Sequence, residues 1–79
     1  MIANQVRVSQ RTIDRYSLGM KIKMARRHRF LTQVELAKRM GICQSHISLY
    51  ENGQKYPWPQ TLEKIAKALE MDIEYFKKP

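Results

Sequence analysis

Ala37, Gly41, Ile47 and Tyr50 follow one another at intervals of four, six and three residues, a spacing that few chain geometries satisfy. A small side chain at Ala37 lets a second helix approach closely, and Gly41 supplies the positive φ angle of a sharp turn. Ile47 and Tyr50 then anchor the following helix in a core. The segment from Gln33 to Asn52 is therefore read as a helix-turn-helix unit within an all-α chain.

The flanking residues supply the ends of these helices. Thr32 and Glu35 have the spacing of a capping box, in which each side chain satisfies a free backbone amide at the other residue. Helix two is expected to end at Gly41, with Ala37, Met40 and either Val34 or Leu36 inward and Lys38 and Arg39 facing solvent or phosphate. Helix three is expected from about Gln44 to Glu51, stopped by Asn52-Gly53. Pro57 and Pro59 redirect the chain before helix four, about Pro59 to Leu69, whose apolar stripe is Leu62, Ile65, Ala66 and Leu69. A short last helix runs to Lys77 from Asp72, its expected N-cap. Upstream, Leu18, Ile22 and Ala25 recur at helical intervals, which predicts a first helix from an N-cap at Ser17 to about His28. Residues 1–16 carry no strong stripe and read as a basic N-terminal arm, leaving residues 17–79 as the compact five-helix domain.

A chain of 79 residues buries only about 60% of its unfolded surface, so it has little stability in reserve. Lone Cys43 forms no intramolecular disulfide, and one cysteine with two histidines cannot complete a four-ligand structural zinc site. No metal or cofactor is expected. There is no phosphate-binding glycine loop, no pair of carboxylates in an apolar setting and no nucleophile with an identifiable base, which argues against an enzyme. The apolar runs fall far short of the roughly 20 residues of a membrane helix, and the N-terminus lacks a secretory apolar core, so a cytoplasmic protein is expected.

The formal charge is +8, which favours a polyanionic partner. Residues 1–29 hold eight basic side chains against the single acid Asp14, whereas residues 30–56 are nearly neutral and residues 57–79 balance. Non-specific attraction is thus expected mainly from the N-terminal third. With about 100° per residue, Gln44, Ser45, Ser48 and Leu49 fall on one side of helix three if Ile47 and Tyr50 face the core. That strip is about as wide as a DNA major groove accepts. Gln44 can hold an adenine through two hydrogen bonds, serine can bond several bases, and Leu49 can touch a thymine methyl group. His46 lies on the flank, where it faces a phosphate or solvent. Cys43 reads as a small residue in place of the usual hydroxyl cap, with a redox-sensitive thiol as the alternative.

From about Leu18 to Phe76 the chain resembles the Cro-like and lambda-repressor-like (XRE-type) helix-turn-helix family of bacterial and phage regulators. The matching residues are Leu18-Gly19, Ile22 and Arg26, then Thr32-Gln33-x-Glu35-Leu36-Ala37, Ile47-Ser48 with Glu51-Asn52-Gly53, and Leu62-x-x-Ile65-Ala66-x-x-Leu69. The resemblance implies double-stranded DNA as partner, base contacts from Gln44, Ser45 and Leu49, and phosphate contacts from Gln33 and Asn52, with Arg26, Lys55 or Tyr56 nearby. Three departures stand out: Leu49 where the family often has a long polar or basic residue, Trp58 where a small cap is usual before helix four, and Glu70 where glycine is frequent. Outside the resemblance, Arg7, Arg11 and Arg15 are expected to reach the DNA backbone or an adjacent minor groove.

These readings converge on a dimeric transcriptional regulator, most simply a repressor, on a palindromic operator. Trp58, Ile73, Tyr75 and Phe76 present more apolar surface than one small domain hides, and form the expected dimer interface. Two alternatives stay open: an antitoxin that also binds a toxin partner, and a protein-interaction adaptor on the same scaffold. Attachment to a membrane surface through the basic first helix ranks last, because Leu18, Ile22 and Ala25 are needed for the core.

Overall fold

Five helices in the order α1 (Gln10–His28), α2 (Gln33–Met40), α3 (Gln44–Glu51), α4 (Pro59–Ala68) and α5 (Ile73–Lys77) make up the computed structural model, which describes residues 10–77, with side chains from residue 15 onward. No strand occurs among the described residues. α1 packs across α3 and α5, α2 packs against α3 and α4, and α4 meets α5. The shared core takes Leu18, Ile22 and Ala25 from α1, Leu36 and Ala37 from α2, Ile47 and Tyr50 from α3, and Leu62, Ile65 and Ala66 from α4, closed by Leu69 and Phe76. Ile22, Leu36, Ile47, Ile65 and Leu69 are fully buried, each contributing roughly 1.5–3 kcal/mol relative to exposure.

Local signals place the ends of α2. The Glu35 amide donates to Thr32 Oγ1 at 3.0 Å and the Thr32 amide to Glu35 Oε1 at 2.8 Å, closing the capping box. Gly41 ends the helix at φ 70°, and the Ile42 amide reaches back to the Ala37 carbonyl. The choice between Val34 and Leu36 falls to Leu36, while Val34 is exposed. At α5 the Glu74 amide donates to Asp72 Oδ1 at 3.0 Å, which makes Asp72 the cap expected there.

The start of α1 differs from expectation. The helix begins at Gln10, so Ser17 is not its N-cap but an exposed residue well inside it. Once Leu18, Ile22 and Ala25 fix the helix on the core, extending it by further turns is far easier than nucleating it, and no apolar stripe is needed to do so. Arg11 and Arg15 therefore sit on α1 itself rather than on an arm separate from it, and Arg7 lies outside the described residues.

α1 crosses α3 at Gly19. A Cβ there would lie 2.5 Å from the Tyr50 carbonyl oxygen and 2.6 Å from that of Glu51, closer than real atoms approach, so only glycine lets the two backbones touch. The far end of α4 is closed by two arginines. Arg29 donates from Nε to the Leu69 carbonyl and from Nη2 to that of Glu70, both at 2.8 Å. Arg39 donates from Nη1 to the Ala68 carbonyl at 3.0 Å. These are the carbonyls a helix C-terminus leaves unpaired, and cations suit that end of the helix dipole. Glu70 adopts φ 56°, the left-handed conformation glycine would take more cheaply; the arginine fork on its carbonyl helps hold it.

Candidate nucleic-acid interface

α3 turns Ile47 and Tyr50 into the core and leaves Gln44 and Ser45 exposed, with Ser48 and Leu49 half-buried. The strip expected to face a groove is thus fully open at the N-terminal end of α3 and partly covered toward its C-terminal end. His46 is exposed. Cys43 occupies the N-cap position, exposed, with no side-chain hydrogen bond to the helix. Among the described residues no group of three or more histidines, cysteines or acids could hold a metal.

A chain of side-chain hydrogen bonds links the core to this face. Arg26 Nε donates to Glu51 Oε2 at 2.6 Å and Nη2 to Glu51 Oε1 at 3.1 Å, with both residues buried. Its remaining arm, Nη1, donates to the Leu31 carbonyl at 2.6 Å. Glu51 Oε1 also accepts from Gln33 Nε2 at 3.0 Å, and Gln33 Oε1 accepts from Gln44 Nε2 at 2.6 Å. The polarity of the chain is set at its buried end. A guanidinium only donates and an ionised carboxylate only accepts, so Gln33 must turn its amide nitrogen to Glu51 and its oxygen to Gln44. Gln44 must then offer its nitrogen to Gln33. What it keeps for a ligand is its own oxygen and one N–H, the pair that matches adenine N6 and N7.

This network withdraws one expected contact. Arg26 was a candidate for phosphate, but it is only 8% exposed and its guanidinium is taken up by Glu51 and Leu31, so it holds the interface together from within. Gln33 keeps one N–H beyond those bonds, at the N-terminus of α2, where free backbone amides favour an anion. Asn52 is exposed, caps the end of α3, and donates from Nδ2 to Ser48 Oγ at 3.4 Å. Lys55 and Tyr56 are exposed on the loop that follows. Gln33 and Asn52 thus stand near opposite ends of the α3 strip.

The four residues expected at a dimer interface do not share one surface. Phe76 is buried in the core, where it closes the helix α5 that sequence periodicity assigns it to. Tyr75 packs edge-on against Phe76 at 5.1 Å between ring centres and lies under Lys21 Nζ, 5.8 Å from its own ring centre, on the α1 side. Ile73 lines a different hollow of about 190 Å³, with Tyr56, Pro57, Pro59 and Leu62. Trp58, next in the chain to Pro57 and Pro59, is 72% exposed and makes no cap hydrogen bond to α4.

Sequence reasoning missed the distant partners of three arginines, of which Arg26 is buried and Arg29 and Arg39 are exposed. Arg26, Arg29 and Arg39 look in sequence like their exposed basic neighbours, yet their partners lie 25, 40 and 29 residues away. No helix among the described residues is long and apolar enough to cross a membrane.

Comparison with known proteins bears on the same region. The helix-turn-helix family matches residues 22–76. The chain is similar to the ImmF control region 10 kDa protein of Bacillus phage phi105, 35% identical over 65 residues, covering 82% of this chain and 72% of that protein. It is also 35% identical over 57 residues to the immunity repressor protein of the same phage, a match covering 72% of this chain but only 40% of that protein. Among solved structures, the restriction-modification controller protein C.AhdI from Aeromonas hydrophila superposes with a TM-score of 0.78 at 25% identity, covering 81% of this chain and 97% of that one. A hypothetical transcription factor from Neisseria shares the fold, with a TM-score of 0.80 at 20% identity over 100% of this chain and 91% of that one.

Proposed function

This chain belongs to the helix-turn-helix family of DNA-binding transcriptional regulators, and from that premise we propose that it reads a specific operator by setting α3 into the major groove. The observation that carries this reading is the hydrogen-bonded chain from Arg26 through Glu51 and Gln33 to Gln44, which fixes which atoms Gln44 offers to a base. Gln44, Ser45, Ser48 and Leu49 are the base-reading set. Gln33 and Asn52 hold phosphates on either side, with Lys55, Tyr56 and His46 at the edges. Arg11 and Arg15, on the extension of α1, and Arg7 before it supply further attraction to the DNA backbone.

The sense of the regulation is repression. Support comes from similarity to a phage immunity repressor. The unit acts as a symmetric dimer. The hollow lined by Tyr56, Pro57, Pro59, Leu62 and Ile73, with Glu63 and Lys77 also on its lining, is the face a second copy covers, and two recognition helices then lie about 34–36 Å apart on a palindrome. Hydroxyl-radical footprinting on a bound duplex tests this. Protection in two stretches about one helical turn apart on one face is expected. Protection of a single stretch at every protein concentration contradicts the dimer and leaves a monomeric reader.

A further inference from the structure

α1 carries a second apolar surface that faces away from the core. At about 100° per residue, Leu18, Ile22 and Ala25 point inward, and Met20 and Met24, one turn apart, point to the opposite side. Both are exposed, at 58% and 59%, although a solvent-facing crest ordinarily carries polar residues. Beside them an open hollow of about 270 Å³ runs between α1 and the start of α5, lined by Met24, Ala25, His28, Met71 and Tyr75. It is distinct from the hollow at Ile73 and from the α3 strip. Met24 and Met71 line it and Met20 stands one turn from Met24 on the crest, side chains that adapt to varied apolar partners.

The rim is basic. Lys23 and Arg27 border the crest on one side, Arg27 exposed. On the other side Lys21 donates from Nζ to the Tyr75 carbonyl at 3.3 Å and lies over the Tyr75 ring. Asp14 is the single acid in α1. Of the acids of the neighbouring segment, Asp72 caps the start of α5, its Oδ1 accepting from the Glu74 amide, and Glu74 is exposed.

We propose that this face of α1 and α5 docks an acidic amphipathic helix of another protein, its apolar ridge on Met20, Met24 and Met71 and its carboxylates toward Lys23 and Arg27. Charge selects the occupant. Apposing the crests of two copies brings Lys23 and Arg27 of one against those of the other, which costs energy rather than stabilising the pair. The chain's own residues 1–9 contain no acid and cannot supply the complement. The hollow beside the crest suits a helix ridge that sinks side chains into it, the helix-in-groove mode, whereas Leu18, Ile22 and Ala25 are committed to the core and leave α1 no broad apolar face for lipid.

The experiment uses the full chain without DNA at about 150 mM salt, where loose charge attraction is screened. The probes are a synthetic helix with leucines at i, i+3, i+4 and i+7 flanked by glutamates, the same peptide flanked by lysines, and vesicles of phosphatidylglycerol. Saturable binding of the glutamate peptide is expected, with amide shifts confined to α1 and the start of α5 and at least tenfold weaker binding of the lysine peptide. M20S/M24S and K23E/R27E are each expected to weaken the glutamate peptide about tenfold or more, about 1.4 kcal/mol. Thermal unfolding verifies that both variants remain folded, and amide shifts on the unmodified chain give the answer independently of any variant. Equal binding of both peptides, no binding, shifts elsewhere, preferential binding to vesicles, or self-association through Met20 and Met24 in sedimentation each overturns the proposal.

Discussion

Gln33 and Gln44 are joined by a 2.6 Å hydrogen bond across the turn between α2 and α3, with Gln44 Nε2 as donor. The bond ties the residue proposed to read a base to one that touches none, and its direction is inherited from the buried Arg26–Glu51 pair. Replacing Gln33 with alanine is therefore expected to relax base preference at the position read by Gln44. The loss should be part of the roughly 1–3 kcal/mol that a good bidentate contact gives. Asn52→Ala is expected to weaken all sequences alike and, because a neutral amide releases no counterion, to leave the salt slope unchanged. Binding titrations on duplexes differing at single base pairs, at two salt concentrations, separate the two effects.

The ion pair behind that bond has side chains only 10% and 1% exposed. Removing one partner strands the other, at about 3–5 kcal/mol. Arg26→Ala and Glu51→Ala are each expected to unfold much of a domain this small at 37 °C. The double change R26M/E51L is expected to cost clearly less than either, since no buried charge is left alone. Urea unfolding of the three variants checks this.

At the α1–α3 crossing there is no room for one more methyl group. Gly19→Ala would place a carbon 2.5 Å from the Tyr50 carbonyl oxygen, and relief requires moving the recognition helix against α1. A loss of about 1–3 kcal/mol is expected, in line with overpacked cores. DNA affinity should fall further than the folded fraction explains, which combined unfolding and binding measurements reveal.

The local parts of this architecture were legible in sequence and the distant ones were not. Thr32 with Glu35, Gly41, and Asp72 before α5 act within a turn of themselves, so their spacing states their role. Ser17 failed as a cap because a helix anchored by Leu18 and Ile22 extends through polar residues that carry no stripe. Arg26 failed as an outward charge because an arginine that pairs with a buried acid far along the chain has the same local pattern as one that faces phosphate, whereas Arg29 and Arg39 are exposed and reach α4 carbonyls that no local pattern announces. Phe76 was assigned to the right helix but to a surface, although a five-residue helix has little else to hold it to the core.

The arginine fork on α4 offers its own test. Arg29→Lys retains the charge but cannot span the Leu69 and Glu70 carbonyls with two donors. About 1 kcal/mol of stability is expected to go with it, of the order of a charge-assisted hydrogen bond at an accessible site. Adding Glu70→Gly, which suits the left-handed backbone at φ 56°, is expected to recover part of the loss. Thermal unfolding of the single and double variants decides.

The capping box makes stability depend on pH. The Glu35 carboxyl is held below its ordinary value of 4.5 by the hydrogen bond from the Thr32 backbone, then by the Thr32 side chain, with small help from Arg39 and Lys38. A carboxyl with a depressed folded value stabilises the fold above its unfolded value and loses that contribution as pH falls through the folded one. Glu35→Gln, which can still cap, is expected to flatten the pH dependence of the urea midpoint below 4.5 and to leave the slope near neutrality unchanged. An equal acid slope in both proteins contradicts this.

Whether α3 reads sequence through a preset Gln44 is decided by selection from a random duplex library with the full chain at about 150 mM salt, run beside Gln44→Ala. A palindrome with half-sites about one helical turn apart is expected, with loss of preference for one adenine per half-site in the variant. Failure of the folded protein to enrich any sequence, or an identical motif from Gln44→Ala, contradicts this reading.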